Sequence, residues 1–318
     1  MAQSIDYSDL QTLRDYVEVI GDDIMDLQLR GAPSLQFMYP HEGVTGKKQM
    51  EWVDIQDIVK PWTSDFSASD DTVERKQITV ENHFLKSELK FIPKEDFNHW
   101  KGYLRLMKQT PESYPFARFI IEKATKKIAT QLEFDTIWTA DLAGTPTGAT
   151  NFTNGLLTQI VDDQALGTPL LTAVATGAIT SANAVDKIEQ MDDAYNEEYR
   201  PTDMPLRMYC SPSVFKLYRR HYRTLNGYHP DYRDIDSKTE IQLDASSTVL
   251  TVCPGMGSSQ RLILTPQDNI WFAYAYADDS ETWLFDTDVR TLRAWSDYWF
   301  GVGYHIFDDR ILRVNDQA

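Results

Sequence analysis

Residues 35–92 alternate like a pair of long β-strands, yet they are largely polar and hold too little apolar surface to bury one another. Two strands alone are only marginally stable in water, so a ribbon of this kind requires a neighbour. Its limbs are 49–59 and 77–91. In the second limb Ile78, Val80, Asn82 and Phe84 alternate, and then Leu85, Ser87, Leu89 and Phe91 alternate in the opposite phase, which predicts a bulge or sharp twist at Phe84-Leu85. Between the limbs, 61–71 combines turn formers with Trp62 and Phe66. Aromatic rings at a ribbon tip have no core of their own, so both are candidate anchors on a neighbour, with Trp52 in the first limb as a third. The alternative is that the tip rings fold back onto the ribbon.

The ribbon is flanked by helical patterns. Leu10, Leu13, Tyr16, Val17, Ile20, Ile24 and Leu27 recur at three- and four-residue steps before Gly31-Ala32-Pro33. Such a stripe docks on its own domain or on another subunit, and Leu13, Val17 and Ile20 are its candidate contacts. After a short helix at 94–107, Pro111 opens a long one over 112–140. Its stripe is Phe116, Ile120, Ala124, Ile128 and Leu132, widened by Phe119, Ile121 and Trp138. The Gly/Thr/Asn-rich stretch 144–155 marks a boundary. Beyond it come a helix at 181–199, a strand at 206–210, a cap at Ser211-Pro212 and a helix at 214–225. Strands follow at 247–253, 261–264, 269–276, 283–295 and 298–314, with Gly301 and Gly303 predicting a bend or bulge. The fold class is α+β.

No catalytic pattern interrupts this order. The six histidines form no HExxH or His/Cys cluster, although distant pairs can converge in space. There is no GxSxG elbow, and the glycine-rich 255–259 lacks the lysine of a phosphate loop and reads as a turn. The pairs Asp162/Asp163, Asp192/Asp193, Asp278/Asp279 and Asp308/Asp309 read as solvated surface. Cys210 and Cys253 give neither zinc spacing nor a disulfide framework, as expected of buried thiols in a reducing cytoplasm. No catalytic residue, cofactor or metal is expected.

With 318 residues, the chain fits two or three lobes. A net charge of −17 argues against a basic track along a nucleic-acid backbone. Lys123, Lys126 and Lys127, and Arg219, Arg220 and Arg223, read instead as solvated helix faces. Neither a signal peptide nor an apolar run of about twenty residues is present, so no membrane partner is expected.

The order of parts resembles the major capsid protein fold of tailed bacteriophages, which encapsulin shells share. Two local patterns add to it. LRMYCSPSVFKL at 206–217 looks like the strand-then-helix of that family's axial domain, and WFGVGY at 299–304 is similar to its glycine-containing strand near the C-terminus. The resemblance implies an N-terminal arm at 1–34, an extended β-hairpin loop at 35–92 and a peripheral domain with a spine helix at 93–165. It further implies an axial α/β domain at 166–282, a return strand of the peripheral domain at 283–300 and a C-terminal axial strand at 301–318. The implied function is non-enzymatic: a subunit that assembles in the host bacterial cytoplasm into an icosahedral shell around double-stranded DNA. Trp52, Trp62, Phe66, Leu13, Val17 and Ile20 would lie at subunit interfaces.

The implied partners are further copies in pentamers and hexamers, a portal, a decoration protein and DNA contacted without sequence preference. A separate scaffolding protein is also implied, because the arm begins almost at Met1. Lys47, Lys48 and Lys60 lie in the loop, where some relatives form isopeptide cross-links, but nothing singles one out and none is expected. One alternative is an encapsulin-type compartment whose arm helix holds cargo. Another is an acidic carbohydrate-active hydrolase, which needs two carboxylates across an aromatic cleft.

Overall fold

The computed structural model describes residues 31–55, 62, 73–91, 99, 101–102, 104–106, 108, 116–142, 144–200, 205–227, 239–244, 246–276, 283–288 and 291–317. The arm helix expected at 10–27 lies outside these residues, as does the ribbon tip apart from Trp62. Of the short helix expected at 94–107, residues 99, 101–102 and 104–106 are described, and they are helical.

The chain enters through a 3-10 turn (Pro33–Phe37) and strand β1 (Tyr39–Glu42). It then forms β2 (Lys47–Ile55), β3 (Val73–Glu81) and β4 (His83–Phe91). Helix α1 (Phe116–Gln131) follows, extended by a π turn (Leu132–Thr136), and then α2 (Leu156–Gln164) and α3 (Ala184–Asp193). The remainder is β5 (Leu206–Cys210), α4 (Pro212–Asn226), β6 (Glu240–Gln242), β7 (Val249–Val252), β8 (Ile263–Pro266), β9 (Ile270–Tyr276), β10 (Leu284–Asp288), β11 (Thr291–Tyr304) and β12 (Arg313–Val314).

Strand β11 organises the first sheet. Along one edge it pairs antiparallel with β4, from Leu292↔Phe91 to Phe300↔His83. Along the other it pairs first with β10 and then with β9, whose far edge carries β1 in parallel. One face of this sheet, with Tyr298, Phe300, Val302 and Tyr304 from β11 and Ile270 and Phe272 from β9, meets α1 and α2. Helix α1 contributes Ile121, Ala124 and Ile128, the π turn Leu132, and α2 Leu156 and Ile160. Ile121, Ala124, Ile128 and Leu132 all belong to the predicted stripe or its widening and recur at the helical period, while Lys123, Lys126 and Lys127 stay exposed.

The second sheet has the order β12-β8-β5-β7-β6, with β5 and β7 parallel. Strand β5 separates two cores by simple alternation. Leu206, Met208 and Cys210 pack with Ile188 of α3 and Val214 and Tyr218 of α4, while Tyr209 faces the first core. The Tyr209 hydroxyl donates to the Phe37 carbonyl at 2.8 Å, tying the second sheet to the chain's entry. The predicted cap of α4 is present: Ser211 Oγ accepts from the Val214 N–H at 3.3 Å, Pro212 begins the helix, and Gly227 ends it.

Two expectations are corrected. The predicted second limb, 77–91, is two strands: β3 belongs to the ribbon with β2, whereas β4 belongs to the large sheet. The break falls at Asn82, not at Phe84-Leu85, because Asn82 turns inward. Its backbone N–H donates to the Gly46 carbonyl at 2.8 Å and its side-chain amide to the Val44 carbonyl at 2.9 Å.

Gly301 and Gly303 make no bend, since β11 keeps regular register through them, Gly301↔Ala273 and Gly303↔Trp271. What they supply is room. A Cβ at Gly301 would lie 2.3 Å from the Glu81 carbonyl oxygen, and one at Gly303 would lie 2.6 Å from the Trp271 ring. The division that the resemblance implies between 300 and 301 lies within β11, and β9, in the span 166–282, pairs in the first sheet.

Overpacking of this kind costs about 1–3 kcal/mol. Gly301→Ala should therefore lower the urea midpoint of the isolated subunit by an amount worth about 2 kcal/mol. An unchanged midpoint would mean that the Glu81–Asn82 corner simply moves aside.

Candidate functional site

The surface that departs from a compact fold is the β2–β3 ribbon, whose strands pair with each other from Lys47↔Glu81 to Ile55↔Val73 and with no other described strand. Its root is built into the large sheet. Val44 and Val80 are buried against Trp271 and Ala273, on the face of β9 opposite the helices. Both legs are continuous with sheet strands, β2 through 43–46 to β1 and β3 through Asn82 to β4. Lys47 and Glu81 close the base with an ion pair of 2.9 Å on exposed side chains, a contact of small energetic weight.

Of the six predicted contact residues, the structure places two. Trp62 is 91% exposed, a large ring left in water. Trp52 lies on β2 opposite Lys76. Phe66, Leu13, Val17 and Ile20 lie outside the described residues.

A groove of about 560 Å³ runs between β4 and α1. Leu85, Leu89, Ala124, Ile128, Phe152 and Tyr298 form its lining, with Lys127 and Gln131 beside them. Lys86 and Glu88, which alternate to the other face of β4, pair with each other at 2.7 Å. On that same outer face, Phe84 stays half-exposed against Trp299, with ring centroids 5.0 Å apart.

The lobes meet at Glu133, which the sequence reading did not single out. The π turn, closed by the Ile137 N–H donating to the Leu132 carbonyl at 2.9 Å, leaves Glu133 fully buried and Phe134 exposed. The carboxylate accepts from the Ser34 N–H at 2.9 Å, the Ser34 hydroxyl at 2.6 Å and the Gly255 N–H at 2.7 Å. Trp138 Nε1–H donates in turn to Ser34 Oγ at 3.0 Å. Thus the entry segment, the end of the long helix and the turn after β7 converge on one side chain. Gly255 is required there, because a Cβ would lie 2.1 Å from the Glu133 carbonyl oxygen. The one sequence signal was an acid set between Leu132 and Phe134 within an apolar stripe.

Among the described acid pairs, Asp163, Asp192, Asp308 and Asp309 are engaged by local partners. Asp163 accepts from the N–H groups of Leu170 and Leu171, each at 3.0 Å. Asp192 holds Arg200 and Thr248, Asp308 holds Arg310, and Asp309 accepts from the Thr172 N–H at 2.8 Å. Asp278 and Asp279 lie outside the described residues. Burial pushes both thiols, Cys210 and Cys253, upward in pKa, away from nucleophilic character.

Two histidines do converge. His41 Nε2 and His305 Nε2 lie 2.7 Å apart, across 264 positions of sequence. Burial, followed by the proximity of His305 and Lys48, lowers the pKa of His41, and burial lowers that of His305. Among the described residues no group of three or more His, Cys, Asp or Glu is placed to hold a metal ion, and no helix is long and apolar enough to cross a membrane.

No protein-family model and no curated protein matches the sequence. Solved structures match the fold over nearly the whole chain. A chain of the satellite phage P4 procapsid including size determination (Sid) protein aligns with a TM-score of 0.57 at 11% identity, covering 98% of this chain and 97% of that one. The capsid of an empty GTA particle aligns at 0.54 and 16% identity, covering 89% and 95%. The virus-like particle from Pyrococcus furiosus aligns at 0.50 and 10% identity, covering 96% and 98%. The chain is an α+β protein with the tailed-phage capsid fold that the order of its parts resembles.

Proposed function

We propose that this chain is the structural subunit of an icosahedral shell enclosing the double-stranded DNA genome of a tailed bacteriophage, and that it is not an enzyme. The observation that carries the reading is the capsid fold over 98% of the chain, together with a two-stranded ribbon that has no core of its own. On this reading 1–34 is the arm and 35–92 the extended loop, with β4 serving as its anchor in the sheet. The peripheral part runs over 93–165 around α1, and the axial part is built on the β12-β8-β5-β7-β6 sheet.

Each ribbon would place Trp62, Trp52 and Phe66 on a neighbouring copy, and Leu13, Val17 and Ile20 of the arm would clasp another. Many modest contacts then close into a symmetric shell of pentamers and hexamers, stabilised by multivalency. The other proposed partners are a separate scaffolding protein, a portal, a decoration protein and packaged DNA. A net charge of −17 suits a wall that contains DNA without gripping it. Assembly in the host cytoplasm and residence in the virion follow from the same reading.

The test is negative-stain electron microscopy with light scattering on the purified protein, alone and co-expressed with its neighbouring genes. Closed shells, pentamers or hexamers are expected. A clean monomer under every condition would overturn the reading. Shells filled with a protein cargo and no DNA would assign the same fold to a compartment instead.

A further inference from the structure

The histidine pair reaches beyond shell building. His305 follows the last residue of β11, and its backbone N–H donates to the Asn269 carbonyl at 2.8 Å. Its Nδ1 lies 2.6 Å from the Asp268 carbonyl oxygen. A carbonyl oxygen only accepts, so Nδ1 carries the ring proton and Nε2 presents a lone pair. His41, on β1, therefore supplies the proton of the contact between the two Nε2 atoms. The rings stand nearly perpendicular, at 87° with centroids 5.0 Å apart, so the two Nε2 atoms point at a common region. An imidazole held through Nδ1 by a backbone carbonyl, with its Nε2 lone pair turned to a partner, is the arrangement that metal-binding histidines take; here His41 is that partner, and an ion would take its place between the rings.

We infer that His41 and His305 bind a divalent transition-metal ion of the zinc class through their two Nε2 atoms, with water filling the remaining positions. Imidazole nitrogens favour zinc, copper and nickel over magnesium or calcium. Two nitrogens on a tetrahedral zinc, each about 2.0–2.1 Å from it, lie roughly 3.4 Å apart. The pair, now at 2.7 Å, need part only by about 0.7 Å. On binding, the His41 proton passes from Nε2 to Nδ1, so both rings stay neutral and no proton is lost.

The surroundings permit this. Tyr39 lies edge-on to both rings, at 5.2 and 5.8 Å, and Trp271 packs beside them at 6.2 and 6.5 Å. Lys48 on β2 and Asp268 before β9 are the charged groups that act on the pair. Both rings are only half-buried, so an ion can enter from solvent. A bound ion would clamp β1, which leads into the ribbon, to the end of β11.

Calorimetric titration of the purified protein with zinc chloride tests this, with magnesium chloride as the comparison salt. One zinc per chain and no magnesium are expected. Loss of an oriented outer partner alone lowers metal affinity about 10–100-fold, so His41→Ala and His305→Ala should each weaken zinc by at least about tenfold. His99→Ala, at an exposed histidine, should leave binding unchanged. Absence of zinc binding by the natural chain, or unaltered binding by both pair variants, would overturn the site. If the variants do not fold, diethyl pyrocarbonate labelling of the natural chain decides it. Zinc should shield His41 and His305 but not His99, and equal labelling with and without zinc would refute the assignment.

Discussion

Glu133→Ala is expected to destabilise the isolated subunit by about 3–5 kcal/mol, measured by urea unfolding. The carboxylate is fully buried and accepts from three donors, the N–H and hydroxyl of Ser34 and the N–H of Gly255. A buried donor left without a partner costs about 1–3 kcal/mol, and the side chain's removal also leaves a hole beside Trp138. Glu133→Gln provides the discriminating comparison. Its amide oxygen can still accept from the Ser34 hydroxyl and Gly255, but its NH₂ then confronts the Ser34 N–H, so an intermediate loss is expected. A loss below about 1 kcal/mol for the alanine variant would show that water enters and satisfies the donors, and that Glu133 does not hold the lobes together.

The second large effect falls on assembly and spares folding. Gln49 and Thr79 are cross-strand partners, so residues 50–78 can be excised and the two joined through Asn-Gly, which closes a two-residue hairpin. The excision keeps Val80 in its cluster with Val44, Trp271 and Ala273, and it keeps the Lys47–Glu81 pair. The shortened subunit should unfold within about 1 kcal/mol of the full chain, since a ribbon without a core contributes little. It should form no shells at any concentration at which the full chain does, by light scattering and electron microscopy. The milder change Trp62→Ala removes a ring of hot-spot type, worth about 2 kcal/mol or more per contact, and should raise the concentration needed for assembly about thirtyfold. Normal shells from the excised chain would refute the ribbon's role.

What the sequence disclosed, and what it hid, divides along the range of the forces involved. The strand at 206–210 and the helix that Ser211 caps were legible because alternation, a hydroxyl and a proline act over a few residues. The stripe on α1 was legible for the same reason. The π turn was not, because it is stabilised by what Glu133 meets 99 and 122 positions away.

Asn82 shows a partial failure. Its inward turn reverses the phase of alternation, but the reversal becomes visible only once the next strand has established its own pattern, two residues on. Gly301 and Gly303 misled for a converse reason. Glycine in a strand signals either a bend or a close neighbour, and the neighbours here, Glu81 and Trp271, come from other strands. His41 and His305 offered no local motif at all.

The way the ribbon is rooted has a mechanical consequence. Tension on its tip passes down β2 into β1 and down β3 into β4, and each of those strands lies along a partner, β9 for one and β11 for the other. Force applied along a strand shears a whole ladder at once, so the rungs must fail together, whereas force across a strand would peel them one by one. The β4–β11 ladder runs through nine paired positions, from Leu292↔Phe91 to Phe300↔His83. The subunit therefore holds its ribbon as a rope is held in a long splice, where each strand of the lay shares the load.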